Sequence, residues 1–231
     1  MNTDAPPPSS SKFEHPDVWV FDLDNTLYPA RHQLFQQIDV NMKTFIAELL
    51  GVDREEAHRI QKDFFHTYGT TLRGLMNAHS IEPGPFLDFV HDIDLSNLPP
   101  SPQMNQALGA LNGRKIVFTN ASLDYAERVL EQLQIRHHFE DVFDIIAADY
   151  LPKPDINAYY KLINVYGIDP KRTAMFEDIS ANLAPARALG MTTVWVPRDP
   201  EAAQVTGPDD HVDHVVEDLA HWLHVLSLTS T

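Results

Sequence analysis

The sequence predicts an α/β protein, a doubly wound parallel sheet that carries a small helical cap after its first strand. Three observations point there. Short apolar runs, Val18-Trp19-Val20-Phe21 foremost, read as strands covered on both faces, as parallel strands are. From about residue 104 onward such runs alternate with segments of helical periodicity. Between residues 31 and 99 the helical periodicity runs on with no strand pattern, which sets those residues apart as a compact helical insert.

Taken in order, residues 1–14 include Ala5-Pro6-Pro7-Pro8-Ser9-Ser10-Ser11 and have almost nothing to bury, so a disordered tail is expected. The first strand covers Val18–Phe21. Leu34, Ile38, Phe45, Leu49 and Leu50 then recur at helical spacing up to a stop at Gly51. A second helix is expected over residues 53–68, with Ala57, Ile60, Phe64 and Phe65 on one face, and shorter ones over 72–78 and 85–92. Leu98-Pro99-Pro100-Ser101-Pro102 closes the insert, because proline resists continuing a helix. The remainder predicts helices at 104–111, 123–133, 156–165, 181–189 and 217–226, with strands at 115–119, 143–147, 173–176, 192–196 and, weakly, 212–216. Gly167 and Gly190 end two of the helices, and Pro185 is expected in or near the first turn of its own. The domain reading is a catalytic core made of residues 15–30 and 100–231, with a cap at 31–99.

Composition narrows the function. The formal charge of −16 argues against a nucleic-acid polymer or an anionic membrane as partner. With no cysteine, disulfides, thiolate zinc sites and thiol catalysis are excluded. No stretch approaches the roughly 18 continuous apolar residues of a membrane span, and the start of the chain lacks a signal-peptide core. A cytoplasmic location is the default expectation. Oligomeric state is left open.

In a doubly wound sheet, ligands bind at the carboxyl ends of the strands. Four polar sites fall there: Asp22 and Asp24 after the first strand, Thr119-Asn120 after Ile116-Val117-Phe118, Lys153 between two prolines, and Glu177-Asp178 after Thr173-Ala174-Met175-Phe176. A strand tip has no structural need of two carboxylates two residues apart. A nucleophilic carboxylate beside an acid/base carboxylate, both near a hard cation, gives them a use. The competing reading is a polar turn, since Asp and Asn are common in turns. The four sites together weigh against it.

At these residues the chain resembles the haloacid dehalogenase-like superfamily of aspartate-dependent phosphohydrolases. The motifs are Asp22-Leu23-Asp24-Asn25-Thr26, Thr119-Asn120, Lys153, and Glu177-Asp178 followed by Asn182, and the resemblance spans about residues 17–197. It implies a Rossmann-like core and a phosphoryl transfer in which Asp22 forms an aspartyl-phosphate. Asp24 would protonate the leaving oxygen and then activate water. Thr119, Asn120 and Lys153 would hold the phosphoryl group. Mg2+ would sit among the Asp22 carboxylate, the Asp24 carbonyl, Asp178 and Glu177. Dehalogenases of the superfamily do without the acid/base residue, so Asp24 favours phosphoryl chemistry.

Substrate choice would belong to the cap. Phe64 to Leu75, together with Tyr28-Pro29, looks like the pyrimidine 5′-nucleotidase branch, and Tyr68, Thr70 or Arg73 would meet the base, ribose or phosphate. The expected substrate is therefore a small phosphate monoester, a pyrimidine nucleoside 5′-monophosphate first. A sugar-phosphate phosphatase or phosphomutase is the alternative, and a binding protein without catalysis the remote one. The twelve histidines, including His137-His138, His211/His214 and His221/His224, read as scattered surface groups rather than metal ligands.

Overall fold

A computed structural model describes residues 15–199 and 209–228 of the chain. The expected tail at 1–14 and part of the polar loop before residue 212 lie outside the described residues. Six parallel strands form one sheet: β1 (Val18–Phe21), β2 (Arg114–Phe118), β3 (Asp141–Phe143), β4 (Thr173–Glu177), β5 (Thr192–Trp195) and β6 (His214–Val215), in the order β3-β2-β1-β4-β5-β6. Phe21 lies opposite Val117 on one side and Phe176 on the other. The chain runs outward from β1 to β3, then returns to build the other half from β4. The strand order therefore reverses between β1 and β4, which opens a crevice at their carboxyl ends.

Side-chain alternation assigns the two faces. Trp19 and Phe21 point to the face covered by α5 (Pro102–Ala110), α6 (Leu123–Gln132) and α9 (Leu219–Leu228). There Phe21 stacks on Phe176 with ring centroids 4.6 Å apart. Val18, Val20, Ile116, Phe118 and Met175 point to the opposite face, where Ala158, Tyr159 and Leu162 of α7 (Ile156–Tyr166) and Leu183 and Ala186 of α8 (Ser180–Ala188) cover them. Near-continuous apolar strands are the consequence of this double cover.

Two expectations need correction. The strand expected at 143–147 is β3, which stops at Phe143. Asp144 ends it: its carboxylate accepts from Leu123 N (2.9 Å) and Ala147 N (2.8 Å), so the backbone turns rather than extends. Pro185 is the sixth residue of α8, not a first-turn residue. It leaves the helix one intrahelical bond short, to the carbonyl of residue 181.

Four helices fill residues 34–91: α1 (Leu34–Leu50), α2 (Arg54–Tyr68), α3 (Thr71–His79) and α4 (Pro83–His91). Helix α1 packs on α2 and α4, and α2 packs on α3, around Ile38, Ile46, Ala57, Leu75 and Phe86. The α2–α3 junction shows why its residues are what they are. Gly69 ends α2 in the left-handed region (φ +84°), and Thr70 at once caps α3 by accepting from Arg73 N. Gly74 lets the two helices close up, since a Cβ there would lie 2.3 Å from Phe64 Cβ. The junction also docks onto the loop that carries Lys153. Arg73 Nη1 donates to Tyr150 O (2.9 Å), and a Cβ on Gly69 would come within 3.2 Å of Pro152 Cγ. Among the described residues, no helix is long and apolar enough to cross a membrane.

Candidate active site

Asp22 continues the β1 ladder for one residue, its N–H donating to Phe176 O (2.9 Å). The chain then turns tightly, with Leu27 N bonded to Leu23 O and Asn25 at φ +63°, a conformation asparagine tolerates better than most residues. Both turn residues serve the neighbouring carboxylates. Thr26 Oγ1 donates to Asp22 Oδ2 (3.0 Å), and Asn25 Nδ2 donates to Asp178 Oδ2 (3.2 Å) across the switch between β1 and β4.

Lys153 is 2% exposed and donates all three ammonium protons, to Asp22 Oδ1 (2.7 Å), Phe118 O (2.8 Å) and Glu177 Oε1 (2.8 Å). Burial pulls its pKa down, but Asp22 and Glu177 outweigh burial and hold the group charged. Asn120, expected as a phosphate ligand, spends its side chain differently. Its Oδ1 accepts from Lys153 N (2.8 Å) and its Nδ2 donates to Lys153 O (3.3 Å), so it fixes the lysine's backbone. Glu177 is likewise committed. It accepts from Lys153, from Asn182 Nδ2 (2.6 Å) and from Ile179 N (2.7 Å).

Asp24 stands apart from the lysine, where two tyrosines orient it. Its Oδ1 accepts from Tyr28 OH and from Tyr125 OH (2.8 Å). Burial raises the Asp24 pKa to about 6, with the Asp22 charge adding to the rise. Burial also raises Asp22 to about 6 against the pull of Lys153, and raises Glu177 and Asp178. A carboxyl near 6 can both give and accept a proton close to neutrality, which suits a general acid that later acts as base.

Tyr125 leans on His91 of α4. Its ring stacks on Tyr125 (centroids 4.6 Å, interplanar angle 12°), and its Nδ1 lies 3.0 Å from Ser122 Oγ. Burial, with Arg128 nearby, lowers the His91 pKa from 6.5 to about 4. Because the folded value lies below the unfolded one, the unfolded chain takes up the proton first as pH falls. The stability of the neutral buried ring is therefore complete above about 6.5 and lost progressively down to about 4, on the order of 3 kcal/mol in all. His91→Gln is expected to flatten the fall in urea midpoint between pH 7 and pH 4, and an unchanged fall would contradict this assignment.

These groups surround one cavity of about 270 Å3 between the strand tips and the helices above. Asp22, Asp24, Thr119, Asn120, Lys153, Glu177 and Asp178 line its floor, and Phe35, Ile38, Met42, Phe86, Leu87 and Val90 are among its apolar walls. Of the three residues expected to meet substrate, Thr70 lines the cavity; Tyr68 and Arg73 are not among its lining residues, and Arg73 bonds Tyr150 instead. Sequence reasoning missed Gln61, His91 and Arg198, all of which line it. The strand-tip rule would have found Arg198, which follows β5 by three residues and pairs with Asp178.

The chemistry of the donor set fits a hard divalent cation. Asp22, Glu177 and Asp178 place carboxylate oxygens within 4.8 Å of one another, and they are the one such group among the described residues. With Asp24 they make four carboxylates against two cations, Lys153 and Arg198. Burial raises all four pKa values and the neighbouring carboxylates add to the rise, a repulsion that a divalent ion would relieve.

A model of the haloacid dehalogenase-like hydrolase family matches residues 16–190. The chain is 25% identical over 238 residues to phosphate metabolism protein 8 of Saccharomyces cerevisiae, covering 94% of this chain and 68% of that protein. It is 27% identical over 221 residues to a phosphoglycolate phosphatase of Chromobacterium violaceum, covering 88% and 95% of the two chains. Among solved structures, a HAD phosphatase from Thermococcus onnurineus has a TM-score of 0.60 at 15% identity, over 91% of this chain and 97% of that one. L-2-haloacid dehalogenases share the architecture as well. At these identities the structural likeness concerns the fold alone.

Proposed function

Because the chain belongs to the haloacid dehalogenase-like hydrolases, we propose that it is a magnesium-dependent phosphomonoesterase working through an aspartyl-phosphate on Asp22, with pyrimidine nucleoside 5′-monophosphates as substrates. The observation that carries the phosphatase reading is the pairing of Asp22, held 2.7 Å from the buried Lys153 ammonium, with Asp24, turned by two tyrosines. The curated relatives include a phosphatase of a small phosphate ester, which agrees with it.

On this reading an Asp22 carboxylate oxygen attacks phosphorus as the bond to the leaving oxygen breaks, and Asp24 gives that oxygen its proton. Asp24, now a carboxylate, takes a proton from water, whose oxygen attacks phosphorus and releases inorganic phosphate from Asp22. Lys153 and the Thr119 hydroxyl stabilise the negative charge on the phosphoryl oxygens. Asp22 and Asp178 would hold Mg2+, with Glu177 braced beside them, and the ion would neutralise charge on the phosphoryl group. The Asn120 side chain braces the Lys153 backbone, and Asn120 lines the same cavity beside Thr119.

The walls favour a base over a polyol. Apolar lining with a few placed polar groups suits a leaving alcohol that carries a flat heteroaromatic ring. A phosphate-release panel with Mg2+ is expected to rank UMP and CMP at least tenfold above ribose 5-phosphate, fructose 1-phosphate and phosphoglycolate in kcat/KM. Equal or inverted ranking would reject the nucleotidase reading in favour of a sugar-phosphate or phosphoglycolate phosphatase on the same site.

A further inference from the structure

Among the described residues, one buried side-chain oxygen or nitrogen lacks a hydrogen-bond partner: Gln61 Oε1. Gln61 is 3% exposed, projects from α2 and lines the cavity among Phe35, Ile38 and Met42. Its amide cannot be read the other way round. Nε2 donates to Asp39 Oδ1 (2.8 Å), and Asp39 is itself held by Lys43 (2.7 Å) and Lys62 (3.2 Å). An anchored carboxylate accepts only from the amino end, which leaves Oε1 as a fixed acceptor. A buried acceptor without a partner carries a desolvation penalty that a packed apolar side chain would avoid. A ligand that brings an N–H removes that penalty.

We propose that Gln61 determines specificity, its Oε1 accepting a hydrogen bond from the base of the leaving group. The donor is N3–H in uracil and the exocyclic amine in cytosine. This inference rests on the nucleotidase reading above. It goes further in making the base edge, rather than its apolar faces alone, the feature that is read. Sites built to bond a substrate N–H reject analogues that lack it far more strongly than apolar pockets reject an extra methylene.

The test compares UMP with N3-methyl-UMP on the wild type and on Gln61→Leu. In the wild type, kcat/KM is expected to be on the order of 10⁴-fold higher for UMP. In Gln61→Leu that ratio is expected to fall to about threefold or less, because the acceptor that the N3–H meets is gone. The wild-type comparison needs no variant and stands even if Gln61→Leu folds poorly. A wild type that treats the two nucleotides alike, or a ratio that survives in Gln61→Leu, overturns the role given to Gln61 while leaving the nucleotidase reading intact. A wild type that prefers ribose 5-phosphate to UMP overturns both.

Discussion

Asp22→Asn is expected to lower phosphate-ester turnover by on the order of 10⁴-fold or more while leaving the protein folded. The size follows from the role. An amide cannot form an acyl phosphate, and losing a nucleophile costs nearly everything the catalytic groups contribute together. Retention of the fold follows from the surroundings. The Asn oxygen still accepts from Lys153 or Thr26, and one of four crowded carboxylates is gone. Turnover of a generic aryl phosphate with Mg2+, read beside circular dichroism, checks both halves. Activity within tenfold of wild type would mean that another residue attacks phosphorus.

Lys153→Met is expected to lower stability as well as rate. Removing the ammonium strands Asp22 and Glu177 in a site where burial already raises both pKa values. Breaking a buried ion pair from one side typically costs about 3–5 kcal/mol. The sign with pH is fixed. Carboxyls whose folded pKa lies above the unfolded value destabilise the fold where they are ionised, and protonation relieves them. The gap between variant and wild type should therefore be widest above about pH 6, where Asp22 titrates in the wild type, and narrow on acidification. Urea unfolding at pH 7.5 and pH 5 measures it. A gap that widens at pH 5 would contradict the assigned pairing, and turnover near wild type would remove Lys153 from the phosphate site.

Much of the architecture was readable from the sequence because parallel strands buried on both faces leave apolar runs with polar tips. Asp22, Thr119 and Glu177-Asp178 follow such runs, and Lys153 precedes a helix that Asp155 caps. What each polar tip does was less readable. Asn120 braces Lys153 thirty-three positions away, and Arg73 bonds a carbonyl seventy-seven positions away. Spacing along the chain carries no trace of such pairings. Asp144 made the same point locally, since its two backbone bonds end β3 where the apolar pattern runs on. Gln61 did leave a signal, a polar residue four positions after Ala57 on the buried face of α2. Helical periodicity alone could not tell that its oxygen lacks a partner.

The proposed mechanism turns on a covalent bond between Asp22 and phosphorus. Acid-quenched enzyme, mixed for milliseconds with a substrate labelled in its phosphoryl group, should carry label on the peptide containing Asp22. The label should be released by hydroxylamine, as an acyl phosphate is, and be absent from Asp22→Asn. Label-free enzyme during full turnover, or label on any other residue, would contradict the mechanism outright.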